Sequence, residues 1–160
     1  MYARPLRCPS LTAIGLLAAT VLASCAARTP VVAVGSEATT LDALLDAYPL
    51  RATEELRADE IARTPAASYH VVQVRGQETP HRHATHDLTV MVLRGQGTLM
   101  LTTRRVEMAA GDAALIPRGA AHWFQNMGQG VAVALVVFTP ALDAPDTVPV
   151  TAVETREERR

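Results

Sequence analysis

The chain has 160 residues and a formal net charge of −1, enough length for one domain and too little positive charge for nucleic acid as the main partner. Apolar residues make up 49% and aromatics only 4%, so Val, Ala and Leu must build the core. All 15 positions counted as Lys+Arg are Arg, which excludes Schiff-base chemistry, a phosphate-loop lysine and a lysine general base. In chain order, a short basic segment, "MYARPLR", precedes an apolar run of 13 residues from Leu11 to Ala23. That run is too short to span a membrane as a mature helix and has the shape of a secretion signal.

The tetrad Leu22-Ala23-Ser24-Cys25 follows and resembles the lipobox of bacterial lipoproteins. The resemblance implies a signal peptide over residues 1–24, cleavage before Cys25, and lipidation of its sulfur and new amino terminus. Ordinary secretion, with cleavage after an Ala-x-Ala-like site, is the alternative. In Gram-negative lipoproteins an Asp after the Cys favours inner-membrane retention; Ala26 stands there. The implied location is therefore a periplasm-facing lipid anchor in the bacterial envelope, toward the outer membrane. Cys8 leaves with the signal and Cys25 carries lipid, so the mature domain has neither thiol nor disulfide. Any metal must then be held by nitrogen and oxygen.

Residues 25–40 read as the lipidated Cys and a tether, and 41–54 as a short helix and linker. In "TTLDALLDAYP", Leu41, Leu44, Leu45 and Tyr48 recur at helical spacing, Thr40 can cap, and Pro49 ends the run. From residue 55 the period changes. "SYHVVQVRG", "DLTVMVLRG", "GTLMLTT", "RVEMAAGD", "AALIPRG", "AHWFQN" and "VAVALVVFTP" are short β-rich runs separated by Gly, Pro or Asn. Strands at roughly ten-residue spacing indicate an all-β, antiparallel sandwich or barrel over residues 55–141. Residues 142–160 read as an extended, Pro-containing arm with a charged end.

The segment from Gly111 to Asn126, "GDAALIPRGAAHWFQN", carries Gly111, Pro117, Gly119, His122 and Asn126 at spacings that resemble the second motif of the cupin superfamily. Gly76, His81, His83 and Gly95 resemble the first, with the approach from Gly76 to His81 one residue shorter than usual. The resemblance implies a small antiparallel jelly-roll barrel. His-x-His on a strand puts both imidazoles on one face, because side chains alternate with period two. His81, His83 and His122 then converge as a site for one divalent transition metal, namely Fe, Mn, Ni, Cu or Zn. The other reading is a barrel without metal that keeps these histidines as hydrogen-bonding core residues. His70, in a strand outside both motifs, reads as structural.

The fourth ligand departs from the family pattern. Many cupins place Glu five residues after the second histidine, where this chain has Leu88. His86 shares the parity of Leu88 and is the favoured fourth ligand. Asp87 is the alternative if a bulge turns it inward; otherwise it is expected to orient a ligating imidazole. By parity the pocket is lined by Val90, Val92, Phe124 and Leu99 or Met100, an apolar set, while Arg94 and Arg118 lie at turns. Some three-histidine cupins are dioxygenases of diketones, flavonols or thiols, so the resemblance implies a metal-dependent dioxygenase acting on a small, largely apolar molecule. A Lewis-acid isomerase or lyase, or a non-catalytic small-molecule or metal-binding module, are the alternatives. The expected partners are a small-molecule ligand and, through the anchor, a membrane, with no nucleic acid; a homodimer is left open.

Overall fold

A computed structural model describes residues 29–102 and 104–150. The fold is an all-β antiparallel jelly roll with one short helix. The chain opens with β1 (Val31–Val34) and β2 (Glu37–Thr40), an antiparallel hairpin turning through Gly35. Helix α1 (Leu41–Ala47) follows directly. Thr40 caps it by accepting a hydrogen bond from the Ala43 amide at 3.2 Å, satisfying one amide that the first turn leaves without a partner.

Ten strands complete the domain: β3 (Leu56–Arg63), β4 (Ser68–Val74), β5 (His81–His83), β6 (Asp87–Arg94), β7 (Gln96–Leu101), β8 (Arg104–Ala109), β9 (Ala113–Ile116), β10 (His122–Asn126), β11 (Ala132–Thr139) and β12 (Thr147–Pro149). They form two five-stranded sheets, ordered β3-β4-β11-β6-β9 and β12-β5-β10-β7-β8. The inner faces bury one core cluster that includes Leu88, Val92, Leu99, Met108, Ile116, Val136 and Phe138. Alternation explains that list: Leu88 and Val92 share one face of β6, as Val136 and Phe138 share one face of β11. A second cluster lies outside the first sheet, where Val32, Leu41 and Leu44 pack on Val71 and Val133. Leu41 is fully buried there, and burying a leucine stabilises by about 1.5–3 kcal/mol.

The segments read as a tether and as an extended arm both contain strands. The stretch assigned to the tether contains the β1–β2 hairpin, with Val32 buried against the helix cluster. The stretch assigned to the C-terminal arm contains β12, which pairs with β5 through Thr147↔His83, Val148↔Arg82 and Pro149↔His81. Strand β3 alternates charged and apolar residues and was absent from the run of β-rich segments. Its charges pair locally, Arg57 with Asp59 at 2.6 Å and Arg63 with Glu60 at 2.6 Å. The lipobox, with Cys25, lies outside the described residues. Among the described residues, no helix is long and apolar enough to cross a membrane.

Candidate metal centre

The two sheets bring three histidines to one end of the barrel interior. His81 and His83 sit on the same face of β5, two residues apart. His122 opens β10, directly opposite His81 in the antiparallel ladder. Gly119, at φ +81°, makes the turn that delivers His122; its amide donates to the His83 carbonyl at 2.7 Å, tying that turn to β5. An L side chain at this φ is disfavoured. Gly97 serves a different need, since a Cβ there would meet the Phe124 ring at 2.3 Å.

One ring nitrogen from each of His81, His83 and His122 lies within 4.8 Å of the others. Ring centroids are 4.4 Å apart for His81–His122, 5.1 Å for His81–His83 and 5.4 Å for His83–His122. The hydrogen bonds fix the tautomers. His81 Nδ1 is 2.8 Å from the Thr79 carbonyl, and His122 Nδ1 is 3.0 Å from the Ala120 carbonyl. His83 Nδ1 is 2.7 Å from Asp146 Oδ1. Carbonyl and carboxylate oxygens only accept, so each Nδ1 carries a proton, which leaves Nε2 as the nitrogen for a metal. Burial pushes the His122 imidazole down to about 4 and also depresses His83, although Asp146 opposes the latter effect. Both rings are therefore neutral at pH 7. Three imidazoles, each with its Nδ1 hydrogen-bonded to an oxygen and its Nε2 left over, form a donor set that fits a first-row divalent metal.

The residues considered for a fourth ligand lie elsewhere. His86 is buried, but its Nδ1 bonds Asp146 Oδ2 at 2.5 Å and it does not join the three-histidine group. It precedes β6, so the alternation that placed it beside Leu88 does not reach it. Asp87 begins β6 in regular register with β11 and faces outward. It accepts from the Arg118 amide at 2.8 Å and the Arg118 guanidinium at 2.7 Å, which hold its carboxyl at about 2. It orients no imidazole. The ladder irregularity of this strand pair is at Val133/Ala134, far from Asp87.

The carboxylate that does orient an imidazole is Asp146, just before β12. Burial raises its pKa, but hydrogen bonds from His86, His83 and Thr85 outweigh that and hold the carboxyl far below the usual range. Arg94, expected at a turn, pairs with Asp42 of α1. His70 is buried in β4, 2.9 Å from Ser68 Oγ and edge-on to Phe138, away from the triad's hydrogen bonds.

The triad forms one wall of a cavity of about 310 Å3. Val90, Val92, Leu99 and Phe124 line it, as does Leu88; Met100 does not. Val72, Val136 and Phe138 extend the apolar wall, and Thr147 and Pro149 of β12 contribute to the rim. Its one acidic lining residue is Glu78. This half-buried side chain accepts a hydrogen bond from the Phe124 amide at 2.8 Å. Burial raises its pKa above the ordinary carboxylate value, outweighing the opposing influence of His81.

The Cupin domain family (Cupin_2) matches residues 68–138. An uncharacterized protein from Aquifex aeolicus (strain VF5) is 39% identical over 95 residues, covering 59% of this chain and 78% of that protein. Among solved structures, KdgF from Halomonas sp. is 24% identical, with a TM-score of 0.52, over 57% of this chain and 85% of its own. An uncharacterized conserved protein with a double-stranded beta-helix domain, from Klebsiella pneumoniae, is 19% identical with a TM-score of 0.58, over 67% and 94%. The structural likenesses speak to the fold alone. With both sequence motifs in place, the double sheet closed around them and a family match spanning β4 to β11, this chain belongs to the cupin superfamily.

Proposed function

We propose that this chain is a metal-dependent cupin, lipid-anchored through Cys25 in the bacterial envelope, that oxygenates a small, largely apolar organic molecule. The observation that carries the reading is the pairing of donors and cavity. Three imidazoles bring one ring nitrogen each within 4.8 Å of the others, no fourth protein donor joins them among the described residues, and the space beside them is apolar. His81, His83 and His122 would hold a redox-active divalent metal, which would supply oxygen activation beside the cavity. The protein's own part is to bind and exclude water. Val90, Val92, Leu99, Phe124 and Phe138 supply an apolar surface that desolvates a ligand of matching character. Among the described residues, the wall has no arginine to pair with a phosphate or dicarboxylate.

Glu78 favours a second reading. A carboxyl on the cavity wall, with its pKa raised by burial, is suited to moving a proton in a Lewis-acid lyase or isomerase. The experiment that decides is reconstitution of the purified protein with Fe(II) and with Zn(II), assayed with enolic diketones, flavonols and thiols in an oxygen electrode. Oxygen uptake coupled to substrate loss in the iron form and not in the zinc form supports the oxygenase. Equal turnover in the zinc form without oxygen uptake, abolished by Glu78→Gln, supports the second reading and overturns the first.

A further inference from the structure

The match to the Cupin domain ends at residue 138, yet the hydrogen-bonding of the histidine loop depends on a residue beyond it. Asp146 faces the loop from the C-terminal strand and receives four donors. Its Oδ1 accepts from His83 Nδ1 at 2.7 Å. Its Oδ2 accepts from His86 Nδ1 at 2.5 Å, from the Thr85 amide at 3.1 Å and from the Thr85 hydroxyl at 3.0 Å. These groups lie at the end of β5 and in the segment just after it. The same strand then pairs along β5, and its Thr147 and Pro149 border the cavity.

The other two rings of the triad are oriented by backbone carbonyls, of Thr79 and Ala120, each two residues from its own histidine. Those bonds come with the local turn. His83 alone is oriented by a side chain distant in sequence, 63 positions away. We propose that Asp146 is the positioning residue of the metal centre: it holds His83 in the Nδ1–H tautomer with Nε2 aimed at the metal, and it locks the 83–86 loop by gripping Thr85 and His86 with its other oxygen. The inference rests on the reading of the triad as a metal centre. The C-terminal strand is thereby part of the site and not a trailing arm. A carboxylate with two oxygens suits the task, because two imidazole donors need two acceptors that never donate. An amide offers one.

The test uses the full mature domain and two readouts. Histidine side-chain 15N spectra of the metal-free protein at pH 7.5 report tautomers, and cobalt(II) titration reports binding and coordination. In the wild type, His81, His83 and His122 should all be in the Nδ1–H form. In Asp146→Ala, His83 and His86 should become tautomer mixtures while His81 and His122 keep the Nδ1–H form. Cobalt affinity should fall by about 10–100-fold, as is typical when a partner of a ligating imidazole is lost. Asp146→Asn preserves volume but leaves one acceptor for two rings, so at least one of His83 and His86 should lose its single tautomer; it serves if the Ala variant fails to fold. If the wild type binds cobalt but His83 stays in the Nδ1–H form at full affinity in both Asp146 variants, the proposal is overturned. A tautomer change in a protein that takes up no cobalt supports the positioning role and overturns the metal reading.

Discussion

His122 and His81 are direct cross-strand partners in the β10–β5 ladder, with ring centroids 4.4 Å apart. The Nδ1 of each ring is hydrogen-bonded to a backbone carbonyl, which leaves the Nε2 of each for a cation. His83 completes the trio from the same strand as His81. Each of His81→Ala, His83→Ala and His122→Ala removes one of three donors, so each should abolish stoichiometric metal. Titration with cobalt(II), followed by absorption, checks this; a variant retaining full uptake would show that its histidine is no ligand.

Chelation should destabilise the domain. A metal that binds the folded barrel and not the unfolded chain stabilises by RT ln(1 + [L]/Kd), about 2.7 kcal/mol when free metal is 100-fold above Kd. The melting temperature should therefore fall when metal is removed with EDTA and recover when it is restored. An unchanged melting curve after verified removal would favour a barrel that keeps its histidines only for hydrogen bonding.

The metal-free protein should lose stability in mild acid. The folded-state pKa of His122 is pushed from 6.5 to about 4, mainly by burial, and His83 shifts in the same direction. Between those values the unfolded chain takes up protons that the native state resists, so stability is full above pH 6.5 and declines as pH falls toward 4. The His122 contribution is up to about 3 kcal/mol, at 1.36 kcal/mol per pKa unit. Urea midpoints measured at pH 7.5, 5.5 and 4.5 should decline in that order, and His122→Gln should flatten the decline. A wild-type midpoint independent of pH across this window would contradict the assignment.

Three histidines in two motifs made the triad legible, because strand alternation and the Pro117–Gly119 turn depend on nearby residues. The rest of the site was not local. Asp146 reaches His83 only through the pairing of β12 with β5, and nothing within "LDAPDTVPV" signals that pairing. His86 was misplaced because period-two reasoning was carried past the start of a strand. The β1–β2 hairpin did leave a trace, the "VVAVGSE" stretch with Gly35 at its turn, but its short strands gain their order from packing Val32 on the helix cluster. The jelly roll itself followed from alternation in β6, β7 and β11, whose core-facing residues include Leu88, Val92, Leu99, Val136 and Phe138.

His86→Ala and Asp87→Ala should both leave the cobalt spectrum unchanged. His86 bonds Asp146 rather than joining the triad, and Asp87 pairs with Arg118 on the surface. Breaking that exposed pair should leave the thermal unfolding curve nearly unchanged. A changed spectrum in either variant would return that residue to the coordination sphere.

The central claim is that His81, His83 and His122 hold a metal in this barrel. Elemental analysis of the full-length protein purified from its native host, without chelators or affinity resins that carry metal, puts it to the test. The account predicts close to one transition-metal ion per wild-type chain and almost none in His122→Ala prepared in parallel. Equal metal content in the two proteins, or a wild type that holds none and takes up none on reconstitution, would contradict it.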